Sequence, residues 1–247
     1  MTTVTTLLID RWRGAWLGAL LTAGLKPVSP PWLETATRHA HTLITEGKPS
    51  STPLQEMLTL PITAMTAAHL PVILFFHEQP RQLTTHLEML TQAWPRESAD
   101  LMETLGRAIA YLISPNPQIR EFLDHLGPLG IRITELLESG CSLAQAQRII
   151  HNQLSPDQIP VAIALYCYCT TPQSMELCYK RVQQMPDSQE IAILSSILVG
   201  ASHGTTPPFW YPKITQLTQS SIIDQLFAAW AGIQNPLPVK LPLLSAI

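Results

Sequence analysis

A chain of 247 residues, 46% apolar and only 13% charged, is long enough to bury a sizeable core and too apolar to be disordered. Its net charge of −3, with 15 lysines and arginines that form no basic run, excludes the balance of a nucleic-acid binder. It has no uninterrupted apolar stretch of about 18 residues that would cross a membrane, and its four cysteines stand at unpatterned spacings that suit reduced thiols in a cytoplasm.

Along the chain the apolar spacing is helical. Leu7–Gly24 comes first, with Asp10, Arg11 and Arg13 ahead of its apolar run and no small-residue cleavage site, so a secretory leader is not expected. Trp32–Glu46 follows, then Thr63–Phe76, where Pro71 argues against an unbroken helix. Next come Pro80–Trp94, Arg96–Ile113, Gln118–Leu126, Leu129–Glu138 and Leu143–Leu154. The series closes with Pro156–Cys169, Pro172–Gln184, Ser188–Gly204 and Ser221–Ile233. The prolines mark helix starts: Thr52-Pro53-Leu54-Gln55, Ser155-Pro156-Asp157-Gln158 and Thr171-Pro172-Gln173-Ser174 each place a hydroxyl before proline. Asn116-Pro117 repeats the signal, and Ser142-Leu143-Ala144-Gln145 reads as a capping box. The expected class is all-α, as one helical domain over residues 1–234 and a proline-rich, poorly ordered tail over 235–247.

Three stretches carry a family resemblance. Asp10-Arg11-Trp12-Arg13-Gly14-Ala15-Trp16-Leu17-Gly18 resembles the opening helix, D-R-x-R-G-A-L-L-G, of the ADP-ribosylglycohydrolases. Thr63-Ala64-Met65-Thr66-Ala67-Ala68-His69-Leu70-Pro71 through Phe76 is similar to their S-A-M-R-x-A-P-L-G-L-F-F segment. Thr91-Gln92-Ala93-Trp94-Pro95 then stands where that family writes T-H-x-H-P. Asp187-Ser188-Gln189-Glu190 through Gly204 resembles their late D-T-D-T-x-A helix. The resemblance implies an orthogonal multi-helix bundle and, for the active family members, two magnesium ions that serve removal of ADP-ribose from proteins.

The same positions lack the ligands that such chemistry uses. Thr22 and Ala23 replace a glycine-aspartate pair, and residues 1–116 contain only Asp10 and Asp100 as aspartates. Thr66 replaces the arginine, Gln92 the first histidine, and Gln189 and Glu190 the second aspartate and its threonine, while Asp187 remains. Two adjacent magnesium ions need several hard oxygen ligands converging at one place. The carboxylate pairs Asp100/Glu103, Glu121/Asp124 and Glu135/Glu138 read as solvated helix faces. Asp187 also reads as an N-cap, and Asp187 with Glu190 is the one pair the resemblance marks as a residual metal site.

Other residues read as packing. Cys167 and Cys169 lie about 200° apart on a helix and cannot chelate one metal together; His39 and His41 face apart for the same reason. His69 reads as a core histidine, His203 as a packing position, and Trp12 with Trp16 as one buried helix face. Gly14, Gly18 and Gly200 read as points of close helix approach, and Gly204 as a left-handed helix stop.

The function expected is that of a non-catalytic relative of the family, with no cofactor, acting in the cytoplasm on a protein partner or by self-association. The alternatives are a magnesium-dependent hydrolase that removes ADP-ribose from modified protein, and a module that binds ADP-ribose or a nucleotide without cutting it. Phe209, Trp210 and Tyr211, then Trp230, Leu237, Val239 and Leu241, are the candidate partner contacts. They are apolar, and the chain is poor in the charge that keeps an open surface soluble.

Overall fold

The computed structural model describes residues 2–23, 30–50, 59–185, 188–204 and 222–233. Within them the chain is all-α, without a strand. The helices are α1 (Thr2–Ala23), α2 (Pro31–Glu46), α3 (Ile62–Phe75), α4 (Pro80–Thr91), α5 (Arg96–Ile113) and α6 (Ile119–His125). They continue with α7 (Gly127–Glu138), α8 (Leu143–Gln153), α9 (Gln158–Thr170), α10 (Met175–Val182), α11 (Ser188–His203) and α12 (Ile222–Trp230). No described helix is long and apolar enough to cross a membrane.

Three helices form the centre because they are apolar all round. α3 buries every residue from Ile62 to Leu74, α9 from Val161 to Cys169, and α11 from Ile191 to Ser202. A helix with no polar stripe has to be enclosed by others. The two-faced helices α2, α4, α5 and α8 lie outside them, and one buried cluster runs from Trp12 to Phe227.

The tightest contact is α1 against α11, made by glycines. A Cβ on Gly14 would overlap the carbonyl of Gly200, one on Gly200 the carbonyl of Gly14, and one on Gly18 the carbonyl of Ser196. Gly204 ends α11 in the left-handed region at φ +68°, and its Cα side lies against the backbone of Asp10 and Arg11. The four glycines therefore do what their spacing predicts.

Arg11 extends the α1 anchor to α5. Its Nη1 donates to the carbonyls of Leu112 (3.2 Å), Ile113 (3.3 Å) and Ser114. Those carbonyls end α5 and lack partners inside the helix, so a cation there also complements the helix dipole. Arg11→Ala should lower stability by about 1–2 kcal/mol, while Arg11→Met, which keeps the packed stem, recovers only part of it. Urea unfolding of both variants checks this.

Helix ends differ from expectation at particular positions. α3 runs through Pro71 without a break. A proline inside a helix costs roughly 3 kcal/mol in isolation, but here the ring is enclosed on all sides and adds apolar volume to the core. α10 begins at Met175, not Pro172: Ser174 Oγ accepts from Leu177 N–H (3.2 Å), whereas Thr171 Oγ1 turns back to donate to the Cys167 carbonyl (2.8 Å). Asn116 takes φ +55° instead of opening α6, whose first turn is capped when Gln118 N–H donates to the Tyr111 hydroxyl (3.0 Å). The capping box at Ser142 forms as expected, Gln145 N–H donating to Ser142 Oγ and Ser142 N–H to Gln145 Oε1. The Thr52–Gln55 signal and the 235–247 tail lie outside the described residues.

Candidate functional site

α4 stops at Thr91, three residues short of the expected end, and Trp94 N–H closes the turn on the Thr91 carbonyl (2.8 Å). That turn carries the Trp94 indole off the helix axis and onto His69 of α3, ring centroids 5.6 Å apart. The other side of Trp94 lines a cleft of about 400 Å³. Met65 and Ile62 of α3, Pro95 and Ser98 at the start of α5, Asp157 ahead of α9 and Glu190 in the first turn of α11 complete its wall. The α3 stretch, the Thr91–Pro95 stretch and the α11 stretch thus meet at one cleft.

Among the described residues the two charged side chains lining the cleft are both negative. Glu190 is half-buried; Asp157 is exposed and its Oδ2 accepts from Ser98 Oγ (3.1 Å). Asp157 was not legible as a site residue, because in sequence it is only the third residue of a helix-start signal. Its hydrogen-bond partner lies 59 positions away. Asp187 falls outside the described residues, as do Phe209, Trp210, Tyr211, Leu237, Val239 and Leu241. Among the described residues no three histidines, cysteines, aspartates or glutamates converge as a metal site would require. The two described carboxylates, from separate elements, do not by themselves make the donor set that a pair of magnesium ions needs.

The positions singled out by the resemblance differ in burial. Thr66 is fully buried, and its hydroxyl donates to the Ile62 carbonyl (2.8 Å) of its own helix. Gln92 is exposed. Behind Trp94, His69 Nδ1 and His39 Nε2 share a hydrogen bond of 3.2 Å, joining α3 to α2. Burial pushes His39 down to about 4 and His69 to about 3, so both rings are neutral near pH 7.

Trp230 faces its own chain. Its ring lies 5.5 Å from Trp12, 5.2 Å from His77 and 5.4 Å from Phe227, and these contacts seat α12 on α1 and on the end of α3. Cys167, Cys169 and Cys178 are buried free thiols, raised by burial to about 12, 12 and 11, which leaves them protonated and unreactive. His41 is exposed where His39 is buried, and the surface carboxylates pair along their helices, Asp100 with Arg96, Glu103 with Arg107 and Glu135 with Arg132.

No protein-family model, curated protein or solved structure matches this chain. A second, smaller cavity of about 190 Å³ between α7 and α8, walled by Leu136, Ile149 and Leu154, involves none of the three motif-bearing stretches.

Proposed function

We propose that the chain is a non-catalytic relative of the ADP-ribosylglycohydrolases that works by binding a protein partner or a second copy of itself. The observation that carries this reading is the composition of the cleft. Residues of stretches that resemble three family motifs wall it, yet Trp94 stands on that wall where the family has a histidine, and the neighbouring positions hold Thr66, Gln92 and Gln189. Thr66 donates to the Ile62 carbonyl of its own helix, and Trp94 lies against His69.

A composition of 13% charge supports the binding role, because a comfortably soluble surface carries roughly 25–35% charged residues. The segments at 209–211 and 237–241 are the proposed contact, and Trp230 contributes through its placement of α12 beside them in sequence. One observation favours the metal-dependent alternative: Glu190, the partner of Asp187 in the late motif, does line the cleft.

Thermal melts with Mg²⁺, with ADP-ribose and with both separate the readings. No shift with either is the result expected of a protein-binding relative. A shift with ADP-ribose alone would make the cleft a nucleotide module, and a shift that needs both would favour the hydrolase. Light scattering on the purified chain with and without residues 235–247 tests self-association; a monomer in both cases removes the second-copy option.

A further inference from the structure

We propose that the His39–His69 contact is an acid-released latch holding α2 against the body of the protein. α2 packs chiefly on α3 and α12, and the histidine pair is the polar link across its seam with α3. The bond needs one ring nitrogen to donate and the other to accept, so it forms only while at least one ring is neutral. Each ring's second nitrogen, His39 Nδ1 and His69 Nε2, is buried without a hydrogen-bond partner. In the neutral pair one of these two nitrogens carries a hydrogen and the other is bare; a proton added to the bare one finds no acceptor for its N–H and puts a charge in a buried place.

Among the described residues nothing facing the pair offsets that charge. Among the described residues the charge acting on His39 is the guanidinium of Arg38, of the same sign, itself paired with Glu34 (2.8 Å). α3 brings no ionisable side chain other than His69, and α12 brings only Asp224, which is held by Arg13 of α1 (2.8 Å). α11 contributes Glu190 and His203 at its two ends, the first lining the cleft and the second exposed. α5 presents Glu97, Asp100, Glu103, Arg96 and Arg107, four of them tied in i,i+4 surface pairs. α4 brings Arg81, His86 and Glu88, α1 brings Asp10, Arg11 and Arg13, and α9 no acid or base beyond tyrosine and cysteine, none of which acts on either ring. His77, just past α3, lies against Trp12 and Trp230 on the α12 side. Trp94 covers the remaining face of His69 with an uncharged ring.

Protonation therefore requires the rings to leave the seam, and it favours any opening that frees them. Between the ordinary imidazole value of about 6.5 and the depressed values of the closed seam, each histidine multiplies the open population by up to tenfold per pH unit. Freeing both rings gives a ceiling of roughly 250-fold from pH 6.5 to 5. Opening by release of α2 alone exposes less apolar surface than opening the enclosed helices α9 and α11, so α2 yields first.

Hydrogen exchange of the full chain, read by mass spectrometry at pH 7 and pH 5 and corrected for intrinsic exchange rates, tests the latch. Peptides from 31–46 should lose protection at least tenfold more than peptides from 158–170 and 188–203. The double variant His39→Leu/His69→Leu, which replaces the pair by apolar groups, should remove that excess. Should it fail to fold, His39→Gln, which keeps an amide donor towards His69 but cannot titrate, should reduce the excess by about half on a logarithmic scale. Equal loss of protection across all three regions, or an excess left undiminished in whichever variant folds, would overturn the latch.

Discussion

Gly18→Leu should destabilise the protein by about 3 kcal/mol or more, the upper end for overpacking. The atoms in the way belong to the backbone of Ser196 and Ile197, within a helix that is itself enclosed, so no rotamer change relieves the clash. Gly200→Leu meets the Gly14 carbonyl and should cost as much. Gly106 gives the contrast: a Cβ there meets the Leu87 Cδ1, the far end of a flexible side chain, so Gly106→Ala should lose much less. A domain of this size shifts its melting temperature by about 2–4 °C per kcal/mol, which puts the Gly18 and Gly200 variants roughly 6–12 °C below the parent. A Gly18→Leu melt matching the parent would show that α1 does not cross α11 at this point.

Trp12→Ala should cost about 3–5 kcal/mol, the usual range for removing a fully buried tryptophan. Trp12 has no exposed surface and makes edge contacts to His77 (5.6 Å) and Phe227 (5.2 Å) as well as to Trp230. Its Nε1 has no hydrogen-bond partner, so the loss is one of packing alone. Trp12→Phe, which keeps an aromatic ring without the indole N–H, should accordingly cost only about 1–2 kcal/mol. Because α12 reaches α1 through this cluster, the alanine variant should also release α12, seen as a red-shifted Trp230 emission below the main transition. A single cooperative loss with unshifted emission would show that α12 is held by α2 instead.

The helices were legible wherever local chemistry decides them. Arg96–Ile113 matches its expected limits because a strong apolar stripe and flanking prolines agree, and Ser142 caps α8 through residues three apart. The close approach of α1 and α11 was legible too, since glycine inside a helix costs roughly 1 kcal/mol and needs a reason to be there. Pro71 was misread because helix propensity is local, whereas enclosure of α3 on every side is tertiary. The start of α10 was misread because two hydroxyls, Thr171 and Ser174, compete for the role of cap, and only the end of α9 decides that Thr171 is already engaged.

The candidate site was less legible than the fold. Glu190 was expected from its motif, and the cleft does include it. Trp94 read as the end of a helix, yet the turn at Thr91 makes it the partition between the cleft and the buried histidines. His39 and His69 each read as separate residues; that they meet depends on α2 crossing α3, which no spacing of 30 residues encodes. Trp230 reads as a partner contact from its apolar, uncharged neighbours; its half-buried ring also packs on Trp12 and Phe227, which no spacing shows.

The proposal of a non-catalytic relative is tested most directly by measuring release of ADP-ribose. The full chain is incubated with peptides ADP-ribosylated on arginine or serine, in Mg²⁺ or Mn²⁺, beside an Asp187→Asn variant. The account predicts no release above the uncatalysed background for either protein; release by the parent that the Asp187→Asn substitution abolishes would contradict it.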